Sequence, residues 1–160
     1  MNKIALALSL LLAPMAAQAA VSVEWVKPES FKDPYYFSTK SEKSRQITLD
    51  AMQDFIIKDA TPMLKTGYDL KIQVTQLDLT GEFEPWSPNP NTRIIKAPYF
   101  GYIAFDYVLT DDKGAEVKKG TARLVNELLI PPEHVDRDEL DPYLCTTIRE
   151  WLHSTLPPKK

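Results

Sequence analysis

The segment YFGYIAFDYVLT, from Tyr99 to Thr110, is the strongest strand signal in the chain, rich in aromatic and β-branched residues. Asp111-Asp112-Lys113-Gly114 is a turn sequence, and EVKKGTARLV behind it reads as the antiparallel partner. A hairpin of this length leaves an apolar face that other elements must cover. The rest of the chain is therefore read for what supplies that cover.

VSVEWV, from Val21 to Val26, alternates Val21, Val23 and Trp25 against Ser22 and Glu24, the period of a strand. Thr39-Lys40-Ser41-Glu42 fits a T-x-x-E capping box, which predicts a helix starting at Thr39. Met52, Phe55, Ile56, Ala60, Met63 and Leu64 follow at helical spacing. Pro62 is expected to kink or restart the last turn, and Gly67 to end it. In LKIQVTQLDL, Leu70, Ile72 and Val74 fall on one face but Leu77 and Leu79 on the other, so a bulge near Thr75-Gln76 is expected. Asp141-Pro142 reads as an N-cap followed by proline at the first helical position, with Leu144, Ile148, Trp151 and Leu152 as the stripe of a last helix.

These elements predict an α+β domain: a mostly antiparallel, twisted sheet of four or five strands with two helices packed on one face. Thr39 to Ala60 as helix and Leu70 to Leu79 as strand would both span about 33 Å, so a helix can lie along the whole sheet. The right-handed crossover rule applies if the first two strands are parallel neighbours. Phe55, Ile56, Ile72, Val74, Ile103, Phe105, Ile148 and Trp151 are the expected core.

Residues 1–19 read as a signal peptide, with Lys3 at the start, the apolar run IALALSLLLAP and Ala17-Gln18-Ala19 before the cut. Cleavage after Ala19 leaves residues 20–160 as a single domain exported to the periplasm, and no later apolar run is long enough for a membrane span. Loss of Lys3 moves the formal charge from −3 to −4, which argues against a nucleic-acid partner. Cys145 is the sole cysteine. It is read as an inert buried thiol, with pairing to another chain as the alternative.

GEFEPW (81–86), RIIK (93–96), the long strand, LTDDKG and RLVNELL together resemble a family of small exported bacterial proteins catalogued only as a domain of unknown function. The resemblance covers most of the mature chain and implies a Gram-negative periplasmic setting. It implies no activity.

The chemistry must be weighed from the residues. Glu82 and Glu84 would share a face of an extended segment about 6 to 7 Å apart, a spacing at which carboxylate pairs serve glycosidases. Two acids side by side on one strand do not flank a bond, however, so the first reading is that they pair with Arg93 and Lys96 across the loop base. No catalytic residue, cofactor or metal is assigned: His134 and His153 lack ligand spacing to each other or to Cys145, and no calcium loop is present. Trp86, Tyr99 and Tyr102, with Tyr35-Tyr36-Phe37 in another connection, offer aromatic surface for a saccharide or an envelope protein. Trp86 is read first as a cap over the open end of the core and second as an exposed anchor. Pro85, Pro88 and Pro90 stiffen its loop either way. The chain is thus expected to be a non-catalytic binding or envelope-accessory module, with Glu82, Glu84, Trp86, Arg93, Lys96 and Tyr99 as candidate binding residues. The alternative is a small hydrolase of an envelope polymer using the loop glutamates. The oligomeric state stays open.

Overall fold

The computed structural model describes residues 19–127, 129 and 139–157. The leader before Ala19 and His134 lie outside the described residues.

Strand β1 (Ala20–Trp25) leads into helix α1 (Glu42–Ala60) and strand β2 (Asp69–Asp78). Two-residue strands β3 (Glu82–Phe83) and β4 (Arg93–Ile94) follow, then β5 (Tyr102–Thr110), β6 (Glu116–Val125) and helix α2 (Pro142–Thr155). The main sheet has the order β1-β2-β5-β6. Its pairings are antiparallel except β1 with β2, which are parallel and joined through α1, the crossover to which the handedness rule applies. β3 and β4 form a separate antiparallel pair. The expected α+β fold is the observed one, with the proline-rich loop resolved into a small hairpin of its own.

The bulge falls where the side-chain phase requires it. The register of β2 against β5 shifts between Val74 and Gln76, which keeps Leu70, Ile72 and Val74 and then Leu77 on the buried face. At the β5–β6 turn, Asp111 Oδ1 accepts from the amides of Lys113 and Ala115, both at 2.9 Å, and the backbone of Asp111 bonds Ala115 and Gly114.

Helix α1 starts two residues later than the capping box suggests. Ser41 is the N-cap, its hydroxyl accepting from the Ser44 amide at 3.1 Å, and the chain before it is pinned to the helix flank by the Tyr36 amide donating to Thr48 Oγ1 at 3.0 Å. The helix is therefore about 28 Å long, shorter than β2. Pro62 restarts the chain as a short 3-10 turn, Thr61–Met63. Gly67 does adopt a left-handed φ of 79°, but the chain has already turned extended at Leu64, so this glycine shapes the turn into β2 and does not cap the helix. In α2, Asp141 caps as expected, accepting from the Leu144 amide at 3.0 Å, and His153 stands in the last turn.

Met52, Phe55 and Ile56 of α1 and Leu144, Ile148 and Leu152 of α2 join Ile72, Val74, Ile103 and Phe105 in one core. Trp151 departs from expectation. It is only half-buried, lying edge-on against Phe105 and Tyr107 of β5 with ring centroids 4.7 and 5.1 Å away. The opposite sheet face is polar, with Gln73 donating to Glu24 at 2.7 Å and Thr121 to Asp106 at 2.5 Å, as an antiparallel sheet wetted on one side requires. At the first strand, the Ala20 amide donates to Tyr68 O and to Asp69 Oδ1, both at 3.2 Å. Among the described residues no helix is long and apolar enough to cross a membrane.

Candidate functional site

The β3–β4 hairpin is held to the body by Arg93. Its Nη1 donates to Asp33 Oδ2 at 2.9 Å and to Gly81 O at 2.6 Å, its Nη2 donates to Tyr35 O, and the guanidinium lies 4.7 Å from the centre of the Phe83 ring. Asp33, 2% exposed, also has Lys40 Nζ at 3.7 Å. One planar fork thus ties together three chain segments, which a lysine could not do. Gly81 makes this approach possible. Its φ is 85°, and a Cβ there would sit 2.8 Å from Arg93 Cγ and 2.9 Å from Ile94 O. The expected pairing of Arg93 with a loop glutamate is therefore corrected: its partner is Asp33, whose burial makes the charge match far more consequential.

Glu84 does take the expected partner. Lys96 Nζ lies 2.6 Å from its Oε1, and the Tyr99 hydroxyl donates to the same oxygen at 2.9 Å. Lys96 first and Tyr99 second hold the Glu84 carboxyl below the usual range, and the carboxylate in turn raises both partners. Glu82 is half-buried in β3, opposite Ile94. Between the strands the loop is closed by the amides of Ser87 and Thr92 donating to Glu84 O at 2.9 Å and Asn89 O at 3.0 Å, and by Ser38 Oγ donating to Asn91 Oδ1 at 2.8 Å. Trp86 is 75% exposed at this corner, so the reading of it as a core cap is overturned. Leu79 and Leu144 are themselves buried in the core.

Beside the hairpin lies a feature that the sequence did not announce, a half-open cleft of about 780 Å³. Four segments build it: the loop at Tyr36, Phe37 and Ser38; the first turns of α1 with Lys43, Ser44 and Ile47; Leu79 and Thr80 after β2 with Phe83, Arg93 and Ile95 of the hairpin; and Asp141 and Tyr143 at the start of α2. Tyr36, Phe37, Ile47 and Ile95 are all at least 40% exposed at this one place. Ser44 and Thr80 are buried and their hydroxyls have no hydrogen-bond partner, nor has Arg93 Nε. The two oxygens of Asp141 are occupied by the amides of Thr80, at 2.7 Å, and Leu144. Burial raises its carboxyl above the ordinary range while those amides pull it back.

Of the six candidate binding residues only Arg93 lines this cleft, together with Tyr36 and Phe37 of the aromatic run; Glu82, Glu84, Trp86, Lys96 and Tyr99 stand outside its lining. The Tyr35-Tyr36-Phe37 run was the one available signal for the rim, together with an apolar Ile47 on the polar side of α1. Cys145 is buried, and that burial pushes its thiol far above the range in which it could act as a nucleophile. Among the described residues no group of three or more His, Cys, Asp and Glu side chains could hold a metal.

Fold and site together define a small α+β domain with one open, aromatic-rimmed cleft beside a tied hairpin. The chain belongs to the family described as "Protein of unknown function (DUF3016)", whose pattern matches residues 19–154. No curated protein matches it.

Proposed function

We propose that the protein is a non-catalytic, periplasmic binding or envelope-accessory module whose ligand seat is the cleft. The observation that carries this reading is the convergence of Tyr36, Phe37, Ile47 and Ile95, exposed and apolar, around a single concavity built on two helix starts and the end of a strand. Exposed apolar side chains scattered singly need no explanation, whereas a cluster around a cleft marks a binding site. The Trp86 corner widens that face toward an envelope protein or saccharide, with Arg93, Glu84, Lys96 and Tyr99 holding its geometry and Glu82 beside it. Export is supported by the leader pattern and by a fold whose first strand starts at Ala20, just past the proposed cut. The alternative, a small hydrolase using the loop glutamates, has less support because Glu84 is committed to Lys96 and Tyr99 away from the cleft.

The test is an amide-shift experiment on ¹⁵N-labelled exported protein mixed with fractions of an envelope extract. Perturbation centred on Ser44, Thr80 and Ile95, with the polar sheet face unmoved, is the expected result. Hydrolysis of an envelope polymer that Glu84→Gln abolishes without loss of fold would overturn the reading in favour of the enzyme.

A further inference from the structure

Resting on the reading of the cleft as a ligand seat, we infer that its ligand is a single-chain anionic amphiphile, an organic carboxylate with an alkyl body. The charge around the cleft is what selects the head group. Arg93 and Lys40 face Asp33, and Arg45 is bonded to Glu42. Lys43, exposed in the first turn of α1 and part of the lining, has no ion-pair partner among the described residues. The positive end of the α1 dipole adds to its field. Among the described residues Asp141 is the sole carboxylate in the lining, and its oxygens already accept two amides. Among the described residues, an anion entering here meets Lys43 as a free cation and no free acid.

The hydrogen-bonding pattern agrees. Just behind the lining, the Ser44 and Thr80 hydroxyls and the Arg93 Nε–H are buried without a hydrogen-bond partner, and each of them can donate to an acceptor. A carboxylate is made of acceptors alone. The body of the ligand follows from Phe37, Ile47 and Ile95 on the rim and Leu79 and Phe83 beneath, side chains that match an alkyl chain better than a polar ring. The volume of about 780 Å³ lies within the roughly 300–1,000 Å³ of small-molecule sites.

Decanoate, decanol and maltotriose are the probes, titrated below micelle-forming concentration into the ¹⁵N-labelled exported protein. Decanoate is expected to shift the amides of Lys43, Ser44, Thr80 and Ile95 saturably, decanol to bind more weakly, and maltotriose to leave them unmoved. Lys43→Gln, on an exposed side chain with no structural partner, is expected to weaken decanoate about two- to fivefold, the effect of one solvent-exposed ion pair. The same variant leaves decanol unchanged. Ile95→Ser is expected to weaken both alkyl probes about tenfold or more through lost apolar contact. Equal affinity for decanoate and decanol, indifference of decanoate to Lys43→Gln, or preference for maltotriose would each overturn the inference. If extract components move the cleft amides while decanoate does not, the anionic amphiphile falls and the binding module stands. If nothing moves them, both fall.

Discussion

Two clasps hold the β3–β4 hairpin, and they are built from the same chemistry in different surroundings. At the base, Arg93 meets Asp33 where neither sees much water, with side chains 13% and 3% exposed. Toward the loop, Lys96, half in solvent, meets a Glu84 carboxylate that is 9% exposed and keeps the Tyr99 hydroxyl as a second donor. A buried charge that loses its partner keeps its desolvation penalty, whereas Lys96 is re-solvated and Glu84 is left with Tyr99. The base clasp therefore decides whether the hairpin is placed at all. The tip clasp decides only how tightly its end is drawn in.

The sharpest way to break the comparison is Arg93→Ala. It leaves buried Asp33 with only Lys40 at 3.7 Å and frees the carbonyls of Tyr35 and Gly81, and should lower the unfolding free energy in urea by about 3 to 5 kcal/mol. Arg93→Lys should recover only part of this, because a point charge cannot serve Asp33 and the carbonyls of Tyr35 and Gly81 together. Next comes Gly81→Ala, which strains a left-handed backbone and presses on the same arginine; a loss of about 1 to 3 kcal/mol is expected. A change below about 0.5 kcal/mol in either would show that the hairpin is placed by something else.

The tip clasp should respond to acid instead. The folded-state Glu84 carboxyl titrates below its unfolded value, so its contribution is present above the ordinary carboxylate range and is lost as pH falls through that lowered value. Amide exchange at Ser87 and Thr92 should accelerate in that acid window, and Glu84→Gln should show the faster rate at every pH. The smallest effect is Trp86→Ala, expected within about 0.5 kcal/mol of the parent in urea, since the indole is exposed. A loss of several kcal/mol would restore the core-cap reading.

What could be read from the chain was local. The β5–β6 hairpin, the β2 bulge and the Asp141 cap each depend on residues within a few positions, and Glu84 and Lys96 face each other across one short loop. The first helix boundary was misread because two hydroxyl residues compete for the cap, and the choice of Ser41 over Thr39 depends on Thr48 gripping the Tyr36 amide. The cleft was illegible for a different reason. Tyr36, Ser44, Thr80, Arg93 and Tyr143 share no local pattern, and the Asp33–Arg93 pair that assembles this end spans 60 positions.

The hydrogen bonds of Ala20 bear on when this protein becomes finished. On the proposed cleavage, the Ala20 nitrogen ceases to be an amide and becomes the α-ammonium of the mature chain. The contact of 3.2 Å to Asp69 Oδ1 then turns from a neutral donor on a carboxylate into a charge-assisted bond. Removal of the leader would thus add a small electrostatic lock between the first strand and the second, one the precursor lacks. Leader removal and the last step of tightening would be the same chemical event. Chemical acetylation of the mature amine, or one extra residue ahead of Ala20, should loosen the β1 edge by under about 1 kcal/mol, read as faster amide exchange along Val21 to Trp25.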